Sequence, residues 1–228
     1  VPEPRRRDRW CLGLGLSAVA LFLVLRGFNL YGDPVPSSVS VVSTSRMQEV
    51  ARLQTCTMPH GSRFSADGSK HYSVCMMDEM LIEIDTRQLA VSRHFMLTRG
   101  GEHGMAGEPK PHDAATSAMS GGHGMEAPAA GNTKCSPTWV APAPDGARAY
   151  VACNAANDIV EIDLKSWALV RRIPAGNGVY NLALTHDGRL LIATNKRGQS
   201  VSIIETASGK ELARVPTQRT VVHGVTIS

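Results

Sequence analysis

One stretch of this chain is written twice. Residues 200–217 read SVSIIETASGKELARVPT and residues 38–55 read SVSVVSTSRMQEVARLQT, with eight of eighteen positions identical. Self-similarity of this kind marks a repeat architecture, in which each unit buries its apolar face only by stacking on a neighbour. The Asp-Gly pairs supply the period. Asp187-Gly188 follows Asp145-Gly146 by 42 residues, and Asp145-Gly146 follows Asp67-Gly68 by 78 residues. Residues 101–134 differ in composition from the rest and read as an insertion of 34 residues, which brings the second interval down to 44.

Each unit predicts four short strands. A first strand such as Asn181–Leu184 runs into the Asp-Gly turn, a strong hairpin signal. A second, apolar strand follows: Tyr72–Cys75, Tyr150–Cys153 or Leu191–Thr194. The third alternates strictly, as in Leu81–Asp85, Ile159–Asp163 and Val201–Glu205, and the fourth covers Ala90–Leu97, Ala168–Ile173 or Glu211–Val215. Period-two patterning rich in β-branched residues argues strands. Four strands in 40–45 residues describe a propeller blade; a β-sandwich has similar strand spacing but does not repeat its sequence. The fold class expected is all-β, a partial β-propeller of about 3.5–4 four-stranded blades forming an open arc. The count comprises an outer half blade at 38–55, blades at 57–100, 135–178 and 179–217, and one further inner strand over Val221–Ser228.

Tyr150-Val151-Ala152-Cys153-Asn154 followed by Ile159–Asp163, and Leu191–Asn195 followed by Val201–Glu205, resemble the YVTN-type β-propeller repeat over residues 38–228. The resemblance implies a secreted or periplasmic protein whose relatives are usually seven-bladed and mostly of undetermined function. The wider superfamily includes haem-binding and copper-binding propellers. Such a likeness speaks to fold far more than to function, because function resides in sites grafted onto folds.

The first 37 residues read differently. Arg5-Arg6-Arg7 precede an apolar run from Trp10 to Leu25, the charge order of a signal peptide or a membrane anchor. The run is short for a spanning helix, which needs about 20 residues. No small-x-small cleavage site follows it, so the expectation is an uncleaved hydrophobic helix that anchors the chain to the inner membrane. Residues 9–35 are also similar to a segment of a polytopic bacterial acyltransferase-like membrane protein. That resemblance carries no catalytic motif; it implies only that residues 1–37 do not belong with the repeats.

Four cysteines recur with the blades. Cys75 and Cys153 end second strands, Thr194 holds that place in the last blade, and Cys56 and Cys135 stand just before first strands. Antiparallel order brings the start of strand one and the ends of strands two and four to one edge. All four thiols, together with His60 and His223, are therefore expected on one face. Three states are open for the thiols: disulfides, a thiolate metal site, or buried free thiols. Pairs Cys56–Cys75 and Cys135–Cys153 are the first choice because each recurs as a unit, and an exported chain oxidises its cysteines.

The insertion emerges on the same face and carries His103, Met105, His112, Met119, His123 and Met125 among glycines, prolines and alanines. Its composition cannot build a core and predicts a flexible loop. Imidazole and thioether together suit a copper-type soft ion, so these residues, with His60 and His223, are candidate metal ligands; a plain linker is the competing reading. His71, His94 and His186 are expected at the surface, Trp139 and Trp167 in packing, and Asp85, Asp163 and Glu205 as braces of the turns they precede.

Several function classes are excluded or disfavoured. A net charge of +4 with 5% aromatic residues does not support nucleic-acid binding. There is no nucleophile elbow, phosphate loop, dinucleotide fingerprint, H-E-x-x-H or C-x-x-C-H motif. The expectation is a non-catalytic extracytoplasmic propeller that binds a protein or small ligand on its face. The alternatives are a soft-metal or redox-linked propeller and a fragment of a haem-linked oxidoreductase propeller.

Overall fold

The computed structural model describes residues 19–24, 35–109 and 134–228. Among these residues sixteen strands form four antiparallel sheets, each built from strands consecutive in sequence. The first sheet contains β1 (Val19–Val24), β2 (Pro36–Ser43) and β3 (Gln48–Thr57). The second contains β4 (Pro59–Phe64), β5 (Lys70–Cys75), β6 (Met80–Asp85), β7 (Ala90–Met96) and β8 (His103–Ala106). The third runs β9 (Pro137–Pro142), β10 (Arg148–Cys153), β11 (Asp158–Asp163) and β12 (Ala168–Pro174). The fourth runs β13 (Val179–Leu184), β14 (Leu190–Asn195), β15 (Ser200–Glu205) and β16 (Glu211–Pro216). This is a β-propeller-like arrangement, and the strands fall where the repeat places them.

The blades stack through three apolar seams. Val39, Ile82, Ile84 and Val91 fill the first, between sheets one and two. Val74, Leu81, Phe95, Val151, Val160 and Ile162 fill the second. Tyr150, Ile159, Leu182, Leu191 and Ile204 fill the third. Alternation along the third strand of a blade sends Leu81 into one seam and Ile82 into the other, so that strand is buried on both sides. The inner strands β4, β9 and β13 pack in succession, which makes them the axis of the arc.

Turn chemistry repeats with the blades. Gly68, Gly146 and Gly188 have φ of 69°, 71° and 69°, and the carboxylates of Asp67, Asp145 and Asp187 accept the backbone N–H two residues on. Asp85 and Asp163 accept the amides that open the next turn, as expected of braces. In Glu205 the same task passes to a bond from the Ser208 hydroxyl.

Four expectations need correction. Residues 19–24, inside the run read as a hydrophobic anchor helix, form β1 and pair with β2 in the place a second strand takes in the other blades. The pairing satisfies backbone groups that an open edge of β2 would expose. No helix among the described residues is long and apolar enough to cross a membrane; residues 10–18 and Leu25 of that run lie outside them. Residues 221–228 form no strand, because no described segment offers them a hairpin partner. Residues 103–106 at the head of the insertion are not loop but a fifth strand on β7. Finally, His71 and His94 are buried; β8 covers the edge of β7 beside His94, and His71 lies in the double-sided core of β5 with Phe64 against its ring. His186 is exposed, as expected.

Candidate functional site

The edge at which first strands begin gathers the recurring polar residues. Cross-strand register places Pro59, Cys75, Met80 and Met96 in one row across the second sheet, and Pro137, Cys153, Asp158 and Pro174 in one row across the third. Both disulfides form in the expected pairs, Cys56–Cys75 and Cys135–Cys153. Each closes a loop of about 18–19 residues, worth roughly 3 kcal/mol in the chain-entropy account. Cys56 lies in β3, so the first bond staples sheet one to sheet two. Two such bonds indicate an oxidising, extracytoplasmic environment. The position equivalent to Cys153 in the fourth sheet is Asn195, not Thr194, since β14 ends one residue later than its apolar pattern suggests. Asn195 is fully buried and donates to the hydroxyls of Ser200 and Ser202.

His60, Thr138 and Tyr180 occupy the same position in three successive inner strands, and the structure joins them. His60 Nδ1 lies 2.8 Å from the Thr138 carbonyl oxygen, and its Nε2 lies 3.0 Å from the Tyr180 hydroxyl. A carbonyl can only accept, so Nδ1 carries the proton and Nε2 accepts from Tyr180. Burial pushes His60 below its ordinary value; the bond to Thr138 opposes this, and the charges of His223 and Lys196 add to it. The imidazole is therefore neutral and held at both nitrogens. Thr138 Oγ1 in turn donates to the Tyr180 carbonyl at 2.7 Å.

The His223 ring lies tilted against Tyr180, with centroids 4.3 Å apart, while its carbonyl accepts from Thr194. Residues 221–228 therefore run beside the fourth blade without joining its ladder. Lys196 Nζ sits 4.8 Å from the centre of the Tyr180 ring, and the Arg63 guanidinium sits 4.9 Å from that of Trp139. Among the described residues neither cation has a carboxylate partner. Trp139 lies over Gly61, where any Cβ would collide with its ring.

The candidate metal ligands that lie among the described residues, His60, His223, His103 and Met105, do not converge on one point. His60 and His223 both contact the Tyr180 ring, with both His60 nitrogens engaged. His103 and Met105 lie on β8, four strands out from β4 in the same sheet, roughly 19 Å at ordinary strand spacing. His103 is exposed, with Nδ1 on the Gly101 carbonyl. His112, Met119, His123 and Met125 lie outside the described residues. Among the described residues, no three His, Cys, Asp or Glu side chains are grouped to hold a metal ion.

Sequence reasoning missed a second repeated constellation. Glu83 and Glu161, at the centre of third strands, are buried, and each faces an arginine ten residues on: Arg93 at 2.5 Å and Arg171 at 2.6 Å. Lys70 and Arg148 approach the same carboxylates from the second strand. The Tyr150 hydroxyl donates to Glu161, and burial pushes that phenol up to about 12. Each arginine also reaches the next blade. Arg93 donates to the Leu164 carbonyl and lies 4.0 Å over Trp167; Arg171 donates to the carbonyls of Thr206 and Ala207. The available signal was a Glu–Arg spacing of ten that recurs with the blade.

No protein-family model matches the chain, and no curated protein matches it. Solved structures do match, 1055 chains in number. Among them is hydrazine synthase from Kuenenia stuttgartiensis, with a TM-score of 0.58, 20% identity, and coverage of 82% of this chain and 43% of that one. The chain thus spans less than half the length of that structure. At this identity the likeness concerns the fold alone.

Proposed function

We propose that this protein is a non-catalytic, extracytoplasmic binding or scaffold propeller that receives an acidic partner on the axial surface lined by its inner strands. The observation that carries the reading is the cluster of His60, Tyr180 and His223 with Arg63 and Lys196. Its two cations rest on aromatic rings and have no carboxylate partner among the described residues. The buried carboxylates Glu83, Glu161 and Asp158 are all consumed by arginines, which leaves them no catalytic role. The YVTN-type reading belongs to the same proposal: the residues that carry it fall on β10, β11, β14 and β15, with Asn154 just past the end of β10. A titration of the full chain with oligoglutamate tests it. Saturable, salt-sensitive binding should weaken at least tenfold in an Arg63→Ala/Lys196→Ala variant. Absence of binding, or binding indifferent to those two changes, would refute it.

A soft-metal function is the second reading, favoured by the two imidazoles in contact with Tyr180 and the His/Met composition of residues 101–134. Cu(I) titration of the full chain separates the two. Affinity tighter than micromolar that disappears on deletion of 101–134 would establish it; weaker binding, or binding that survives the deletion, would dismiss it.

A further inference from the structure

The second and third seams are built from equivalent residues, but only one is closed at its outer end. In the second seam Trp167, from the turn between β11 and β12, reaches back to the preceding blade. Its indole lies under the Arg93 guanidinium, meets Phe95 edge-on at 5.8 Å, and donates from Nε1 to the His94 carbonyl at 2.8 Å. Beneath it β8 covers the edge of β7, and Gly104 of β8 touches the indole so closely that no Cβ would fit. The seam is closed there: Trp167 is 8% exposed and Phe95 0%.

The third seam lacks both parts. The residue equivalent to Trp167 is Gly209, and a Cβ built on it would point at the Arg171 guanidinium, 3.2 Å away. No strand among the described residues covers the edge of β12, where Leu169 and Val170 are 38% and 43% exposed. A groove of about 680 Å³ opens between the Asp145-Gly146 and Asp187-Gly188 hairpins and reaches this edge at Val170 and Arg171, with Tyr150, Glu161, Thr206 and Ala207 also in its wall. Arg171 is held as Arg93 is, by a buried glutamate and by carbonyls of the next blade, but no ring among the described residues lies against it.

We propose that this groove is a docking site for an aromatic side chain carried by an extended segment of a partner polypeptide. The ring would take the position over Arg171 that Trp167 takes over Arg93, and the segment would lie along the bare edge of β12 as β8 lies along β7. The neighbouring seam is the argument for that occupant. It contains the same arginine and strand edge, filled by an indole and a short extended strand, so the chemistry that satisfies the site is already drawn within the molecule. Cation–ring stacking and strand addition are both established modes of polypeptide recognition. The groove opens among the hairpin tips of the third and fourth sheets, and none of His60, Arg63, Tyr180, Lys196 or His223 lines it, so this site is independent of the binding surface proposed above.

The test is a titration of the full, isotopically labelled chain with N-acetyl-tryptophanamide, followed by amide NMR, with free indole and N-acetyl-glycinamide run in parallel. Saturable shifts are expected at Val170, Thr206 and Ala207 with the tryptophan amide, several-fold weaker shifts with indole, and none with the glycine amide. Gly209→Trp supplies an internal plug and should weaken the binding at least tenfold; residue 209 already has the left-handed φ that Trp167, Leu89 and Met47 adopt. Val170→Lys, at an exposed position, should weaken it as much without disturbing the fold. Three results would overturn the proposal. The first is groove amides that do not respond. The second is binding that persists in Val170→Lys, whether or not Gly209→Trp folds. The third is free indole binding as tightly as the amide, which would make the ligand a small aromatic molecule instead of a polypeptide.

Discussion

At the residue scale, the buried ionisable side chains are met by partners, and His71 is the exception. Glu83, Glu161 and Asp158 each face arginine, so their burial is compensated. His71 is 1% exposed and its Nδ1 has no hydrogen-bond partner among the described residues. Burial alone pushes it from an ordinary 6.5 down to about 3. The folded value lies below the unfolded one, so neutral His71 contributes nothing adverse above pH 6.5. Between 6.5 and 3 the unfolded chain takes up a proton that the native chain refuses. Stability should therefore fall with pH across that window, by at most about 1.4 kcal/mol per unit from this residue. Denaturant unfolding measured from about pH 7.5 to about 4.5 should show that slope, and His71→Leu should flatten it. An unchanged slope in the variant would assign the acid sensitivity elsewhere.

At the element scale, the blade repeats its backbone more faithfully than its side chains. Met47, Leu89, Trp167 and Gly209 stand at the same place in the turn from third to fourth strand, with φ of 50°, 52°, 53° and 71°. Glu79, Asn157 and Gln199 share a second left-handed position, between second and third strands. Two of these latch the next blade: the Glu79 carboxylate accepts the amides of Cys135 and Ser136, and Asn157 Oδ1 accepts that of Gly178. Met47 is 77% exposed, so its side chain gains no packing to offset the strain it carries. Met47→Gly should remove about 1–2 kcal/mol of left-handed strain against about 0.5–1 kcal/mol of added chain entropy. A net gain of about 0.5–1 kcal/mol in thermal unfolding is the expected result; a loss would mean that the methionine packs in solution.

At the scale of the molecule, close packing among the described residues joins mainly neighbouring sheets, with the His60–Tyr180 hydrogen bond linking the second sheet to the fourth at the axis. Stability in such an arc is a sum of blade terms and seam terms, and opening can be local. Trp167 is the largest side chain of the second seam and is bound by Arg93, Phe95 and the His94 carbonyl. Trp167→Ala should cost about 3–5 kcal/mol, concentrated on the sheets it joins. Hydrogen exchange should accelerate in β7 and β12 while the interior of the fourth sheet, around Leu191 and Ile204, keeps more of its protection. Uniform acceleration across all sheets would make the arc a single cooperative unit instead.

The strand order, the Asp-Gly hairpins and the disulfide partners were legible in the sequence because each rests on local or periodic information. Asp145-Gly146 determines a turn wherever it stands between alternating strands, and Cys135 and Cys153 recur at a spacing that one hairpin can close. Tertiary structure alone decided the rest. The apolar stretch Val19–Val24 suits a helix or a strand equally, and the open edge of β2 made it a strand. His71 and His94 look like surface residues until sheets pack on both sides of them. Whether Arg93 and Arg171 meet an indole or open space depends on which residue of the next blade folds back against them. That residue is far away in the chain, and only the stacking of blades brings it near.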